Sequence, residues 1–162
     1  MVAAPALARR TSSAAEAEEL IASVHEVIRA VLARTHPTLE AEGISMGQFW
    51  ALHFVSSLRS ASVSTVARHL AVSAPTVCAN IDQLETAGLV TRHRSELDRR
   101  AVVLALTPKG RKVESRVWAQ IGRVMAEAAA ELPSEDVATA ARVFRELNHR
   151  FEARSEKAGE GP

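Results

Sequence analysis

The chain has one cysteine, Cys78, and no tyrosine. A single thiol cannot build an intramolecular disulfide framework, and its scarcity fits a reducing compartment. Aromatic residues are only 4% of the 162 residues, too few for a platform on which single-stranded nucleic acid stacks. Net charge is +1, so bulk charge names no partner and only its distribution can. No apolar run reaches the length of a membrane span. The amino terminus lacks the order of a secretory signal, because the basic pair Arg9-Arg10 follows a short apolar run instead of preceding a long one. A cytoplasmic protein is therefore expected. There is no glycine-rich phosphate loop and no Gly-x-Ser-x-Gly elbow, and the six histidines form no His-x-x-x-His pair. Neither an enzyme, a cofactor nor a metal site is expected.

What is present is ordinary for a globular domain: 47% hydrophobic and 24% charged residues. The patterning is mostly helical. Leu20, Ile21, Val24, Val27, Ile28, Val31 and Leu32 recur at three- and four-residue steps and make one apolar stripe. Ser12 or Ser13 can cap that helix, and His36-Pro37 is expected to stop it. Ser45 caps a second helix carrying Phe49, Leu52, His53 and Val55. A short third helix, capped by Ser62 or Ser64, runs to about Leu70. After the tight turn Ala71-Val72-Ser73, a fourth helix opens with Ser73 as cap and Pro75 in its first turn. Val77, Ile81 and Leu84 are its buried stripe and Gly88 ends it.

Periodicity then changes. Residues 89–92 and 101–106 are β-like, joined by the charged run His93 to Arg100. Thr107 caps the next helix, with Pro108 at its first position and an apolar stripe at Val113, Val117, Ile121, Val124 and Met125. Leu132-Pro133 breaks it, and Ser134 is expected to cap a last helix bearing Val137, Ala140, Phe144, Leu147 and Phe151. The expected fold is mainly α with a small two-stranded β-wing. Residues 1–13 and 156–162 read as tails, 45–110 as a winged helix-turn-helix, and 14–36 with 111–155 as a helical dimerisation region. The long terminal stripes exceed what one such domain covers, and a symmetric pair of chains accounts for them best.

Short helix, three-residue turn, helix and charged hairpin suit duplex DNA. The major groove, roughly 12 Å wide, admits one α-helix, which reads base edges from its N-terminal end. Ser73, Ala74, Thr76, Asn80 and Gln83 lie off the buried stripe and are the expected readers, with Asn and Gln able to pair bidentately with adenine. Arg94, Arg99 and Arg100, with Arg92, sit on the hairpin, where a thin ribbon can enter the minor groove. Asp98 is expected to pair with a neighbouring arginine and shape the ribbon. Trp50 and His53 on the second helix, with Arg29 and His36 on the first, are candidates for an anionic aromatic ligand. Cys78 reads as a small packing residue, with oxidation at a helix N-terminus the alternative.

The stretches Leu70-Ala71-Val72-Ser73-Ala74-Pro75-Thr76-Val77, Leu84-Glu85-Thr86-Ala87-Gly88-Leu89-Val90-Thr91-Arg92, Asp98-Arg99-Arg100 and Leu104-Ala105-Leu106-Thr107-Pro108-Lys109-Gly110 together resemble the MarR family of bacterial transcriptional regulators. The resemblance covers about residues 15–155. It implies a homodimer on a pseudo-palindromic operator, usually repressing and often released by a small anionic or phenolic ligand. It also implies that Arg100 is the minor-groove arginine and Asp98 its shaping partner. Two departures stand out. Ala79 occupies a position where many relatives carry a basic residue, which shifts reading onto Asn80 and Gln83. Residues 15–36 contain no cysteine, so the oxidant-sensing mode of one branch is not supported. A winged helix used as an architectural or protein-interaction module, without sequence readout, is the alternative function.

Overall fold

The structure, a computed structural model, describes residues 13–58, 60–94 and 102–159. The order of elements is α1 (Ala14–Glu42), α2 (Met46–Ser57), α3 (Val63–Leu70), α4 (Ala74–Thr86), β1 (Val90–Arg94), β2 (Val102–Leu106), α5 (Pro108–Ala129) and α6 (Ser134–Gly159). The chain divides into two units, Met1–Trp118 and Ala119–Pro162, and each is described by itself.

Four helix starts in the first unit follow one chemistry. Ser13, Ser45, Ser62 and Ser73 are N-caps whose hydroxyls accept from the backbone N–H three residues on, satisfying a donor the helix leaves open. At Ser13 the Glu16 carboxylate accepts in return from the Ser13 N–H at 2.6 Å. That bond holds the Glu16 carboxyl below the ordinary glutamate range. The cap is thus complete above the usual carboxylate range and is lost as pH falls through the lowered value.

α1 does not stop at His36-Pro37. It runs through Pro37 to Glu42 and ends at Gly43, whose φ of 67° lets the Ile44 N–H reach back to the Leu39 carbonyl at 3.1 Å. An interior proline costs about 3 kcal/mol. Here the turn beyond it buries Leu39 and Ile44, each contributing roughly 1.5–3 kcal/mol, and that packing outweighs the break. α6 likewise extends to Gly159, past the residue 155 at which the helical region was expected to end, and Ser134 is its first residue, not the cap before it.

The core of the first unit lies between α2, α3, α4 and the ribbon. Phe49, Leu52, Val66, Val77, Ile81, Leu84, Leu89, Val90, Val113 and Val117 are all fully buried. Those on helices were legible from their helical spacing, whereas Leu89 and Val90 are consecutive and both buried, which alternation does not give. β1 and β2 pair antiparallel, from Val90 opposite Leu106 to Arg94 opposite Val102. Ala61 adds an isolated antiparallel bridge to β2, its carbonyl accepting from the Leu104 N–H at 2.7 Å. The ribbon is longer than expected: His93 and Arg94 belong to the strand, not to the charged connection.

The α3–α4 turn rests on Ala71, which adopts a left-handed φ of 53°. That conformation costs a non-glycine residue roughly 1–2 kcal/mol. The Val72 N–H bonding back to Ala67 at 3.1 Å repays part of it by closing the end of α3.

Candidate nucleic-acid interface and effector groove

α4 buries Val77, Ile81 and Leu84 against the core. At 100° per residue the opposite side carries Pro75, Thr76, Ala79, Asp82, Gln83 and Thr86, all exposed. Of the expected readers, Ser73, Ala74, Thr76 and Gln83 are exposed. Three of these four are engaged within the protein. The Ser73 and Thr76 hydroxyls lie 2.7 Å apart, and the Gln83 amide oxygen accepts from Gln48 Nε2 at 2.6 Å. Asn80 is half-buried beside α2: its Nδ2 would lie 3.6 Å from a Cβ placed on Gly47. Sequence reasoning overlooked Thr86 and Asp82, although both fall on the same outward arc.

The wing is only partly described. Arg94 is exposed at the end of β1. Asp98, Arg99 and Arg100 lie outside the described residues. Arg92, grouped with the hairpin arginines by sequence, does something else. It turns toward α4 and forms ion pairs with Asp82, at 2.5 Å, and with Glu85. The Asp82 hydrogen bond is the main cause that raises the Arg92 pKa above its ordinary value. A strand places alternate side chains on opposite faces, so Arg92 meets α4 while its neighbours do not.

The wing base and α5 meet at a close approach. Thr107 Oγ1 donates to the Gly88 carbonyl at 2.7 Å and accepts from the Gly110 N–H at 2.9 Å. The Thr107 N–H donates to the Leu89 carbonyl at 3.0 Å. Lys109 Nζ donates to the Ala87 carbonyl at 2.9 Å, and Arg111 Nη1 to the Leu106 carbonyl at 2.7 Å. A Cβ on Gly110 would stand 1.9 Å from the Leu89 carbonyl oxygen. The Leu-Thr-x-x-Gly spacing is therefore the seam that docks α5 on the turn ending α4.

The four candidate ligand residues separate into two places. Arg29 and His36 line one groove with Leu32, Leu39, Ile44 and Ser45, of about 630 Å³. Trp50 and His53 do not reach it. They belong to an aromatic cluster in which His53 stacks on Trp118, with ring centres 4.3 Å apart, and Phe49, Trp50 and His53 are mutual neighbours. His53 Nδ1 lies 2.9 Å from Glu114 Oε1. The cause is the direction of α2, which turns this side toward α5, where Glu114 and Trp118 are one turn apart on one face. Cys78 is half-buried, its sulfur 3.9 Å from Asp82 Oδ2, as fits a packing residue at the edge of the helix. Among the described residues no group of three or more His, Cys, Asp or Glu is placed to hold a metal. None of the described helices is long and apolar enough to cross a membrane.

A short helix, a three-residue turn, a second helix exposed along one side and a two-stranded ribbon define a winged helix-turn-helix protein. Residues 42–101 match the MarR family model. Over 135 residues the chain is 26% identical to the HTH-type transcriptional repressor MdtR of Bacillus subtilis (strain 168), covering 81% of this chain and 87% of that protein. A solved MarR family protein from Bacillus stearothermophilus shares the fold with a TM-score of 0.76 at 21% identity, over 88% of this chain and 99% of that one. So does Staphylococcus aureus MarR in complex with salicylate and kanamycin, with a TM-score of 0.75 at 21% identity, over 86% and 95%. The central part of the chain is thus similar to the MarR family, and the fold is that of solved MarR proteins.

Proposed function

We propose that the chain is a sequence-reading repressor that acts as a homodimer on a pseudo-palindromic operator. The observation that carries this is the outward arc of α4, exposed from Pro75 to Thr86 beside a ribbon ending in Arg94. Two copies of such a helix, one per protomer, match successive major grooves when about 34–36 Å apart. Arg94, Arg99 and Arg100 are assigned to the minor groove and the phosphates beside it, with Asp98 shaping the ribbon. Uncovered apolar surface supports the pairing of chains: on α1, Ile21 is 69% exposed and Ile28 51%, and on α6 Phe144 is 48% exposed.

Selection from a random duplex library, followed by competition with unselected DNA, tests the reading. The selected duplex should bind at least about a thousandfold more tightly than the competitor. Equal affinity for all duplexes would instead make the protein an architectural module.

The Arg29–His36 groove is proposed as the effector site. It offers one cation, an imidazole and apolar walls, the chemistry that holds an aromatic carboxylate. Salicylate, present in the Staphylococcus aureus structure, is the natural probe. At saturation it should raise the melting temperature by a few degrees, about 2–4 °C, and Arg29→Ala should abolish that rise. An unchanged rise in the variant would move the site elsewhere.

A further inference from the structure

Duplex DNA carries about one negative charge per 1.7 Å of its axis, so an exposed carboxylate on a groove-facing helix works against binding. α4 nevertheless carries two, Asp82 and Glu85, with side chains 58% and 40% exposed. Arg92 reaches both from β1, Nη2 to Asp82 Oδ1 and Nη1 to Glu85 Oε2, and is itself the least exposed of the three at 29%. A guanidinium forking between two carboxylates spends its donors there. It also leaves the trio with one net negative charge in place of two.

The geometry points to Arg92 as a masking residue: it neutralises the Asp82–Glu85 pair so that α4 can approach a phosphate backbone, and it makes no DNA contact of its own. This rests on the reading that α4 faces DNA. It also recasts the hairpin arginines, because Arg92 then serves the helix while Arg94 and its neighbours serve the nucleic acid.

Fluorescence anisotropy at fixed salt, with a labelled mixed-sequence duplex of about two helical turns, roughly 21 base pairs, is the assay. Arg92→Ala should weaken binding about tenfold or more, and the triple variant Arg92→Ala, Asp82→Asn, Glu85→Gln should return to within about threefold of the unaltered protein. A triple variant as weak as Arg92→Ala overturns the proposal, since Arg92 would then be needed for itself. Should the alanine variant fold poorly, the pair Asp82→Asn, Glu85→Gln with Arg92 retained decides. It should bind at least as tightly as the unaltered protein, and weaker binding overturns the masking role. Ala79→Glu separates the two levels of the argument by adding an unmasked carboxylate to the same face. If it weakens binding and Arg92→Ala does not, masking alone fails. If it changes nothing while the protein still binds the duplex, α4 is not the DNA-facing helix and both readings fail.

Discussion

Gly110→Ala is expected to lower the stability of the protein by at least about 3 kcal/mol, at the upper end of what overpacking a well-filled site usually costs. The added methyl would meet the Leu89 carbonyl oxygen at 1.9 Å, and neither side can yield cheaply. Leu89 is fixed on one flank by its own N–H, which donates to the Leu84 carbonyl at 2.8 Å, and its carbonyl accepts from Thr107. Gly110 is fixed by its N–H bond to Thr107 Oγ1. Separating them would pull α5 off the turn that ends α4 and disturb the base of the wing. For a chain of this length the loss corresponds to roughly a 10 °C fall in melting temperature. Gly122→Ala is the matched control on the same helix, with nothing within 4 Å of its added Cβ, and should be neutral or stabilising by up to about 1 kcal/mol. Equal melting temperatures for the two variants would show that the seam tolerates a side chain.

Ile21→Glu with Ile28→Glu is expected to convert the protein to monomers and to remove most of its affinity for duplex DNA. Both side chains are more than half exposed on α1, next to the equally exposed Val27. They share a stripe that the first unit leaves uncovered over most of the helix, since only Thr35 and Leu39 of α1 are buried. If a second chain covers that stripe, a symmetric contact removes each isoleucine twice, four side chains at roughly 1.5–3 kcal/mol each. That sum is an upper bound, but even about 4 kcal/mol is a thousandfold in the dimer dissociation constant. A carboxylate forced into the same contact would add a desolvation penalty. The monomer would keep one groove-reading helix and lose the gain of tethering two. Sedimentation of the variant as a stable dimer would place the pairing surface elsewhere.

Much of this architecture was readable from the residues because it rests on local rules. Serine caps, the glycine after α4 and the three- and four-residue apolar steps each act within one turn of helix. The sequence failed where a distant packing partner decides. Pro37 signals a stop, yet burial of Leu39 and Ile44 carries α1 past it. His93 and Arg94 look like a polar connection, yet their backbone pairs with Val103 and Val102. Arg92 shares its chemistry with Arg94 and is set apart from it only by the position of Asp82 and Glu85 on α4. The ligand candidates divided for the same reason. Arg29 and His36 are two turns apart on one helix and stay together, whereas the surroundings of Trp50 and His53 are set by Glu114 and Trp118, more than sixty positions away. Asn80 was chosen for its amide, and only the closeness of Gly47 shows that it leans toward α2.

Hydroxyl-radical footprinting on a duplex selected by the protein tests the central claim most directly. Two patches of protection on one face of the DNA, symmetric about a centre and about one helical turn, roughly 10 base pairs, apart are the predicted result. A single patch, or none above that seen on random sequence, would contradict the account.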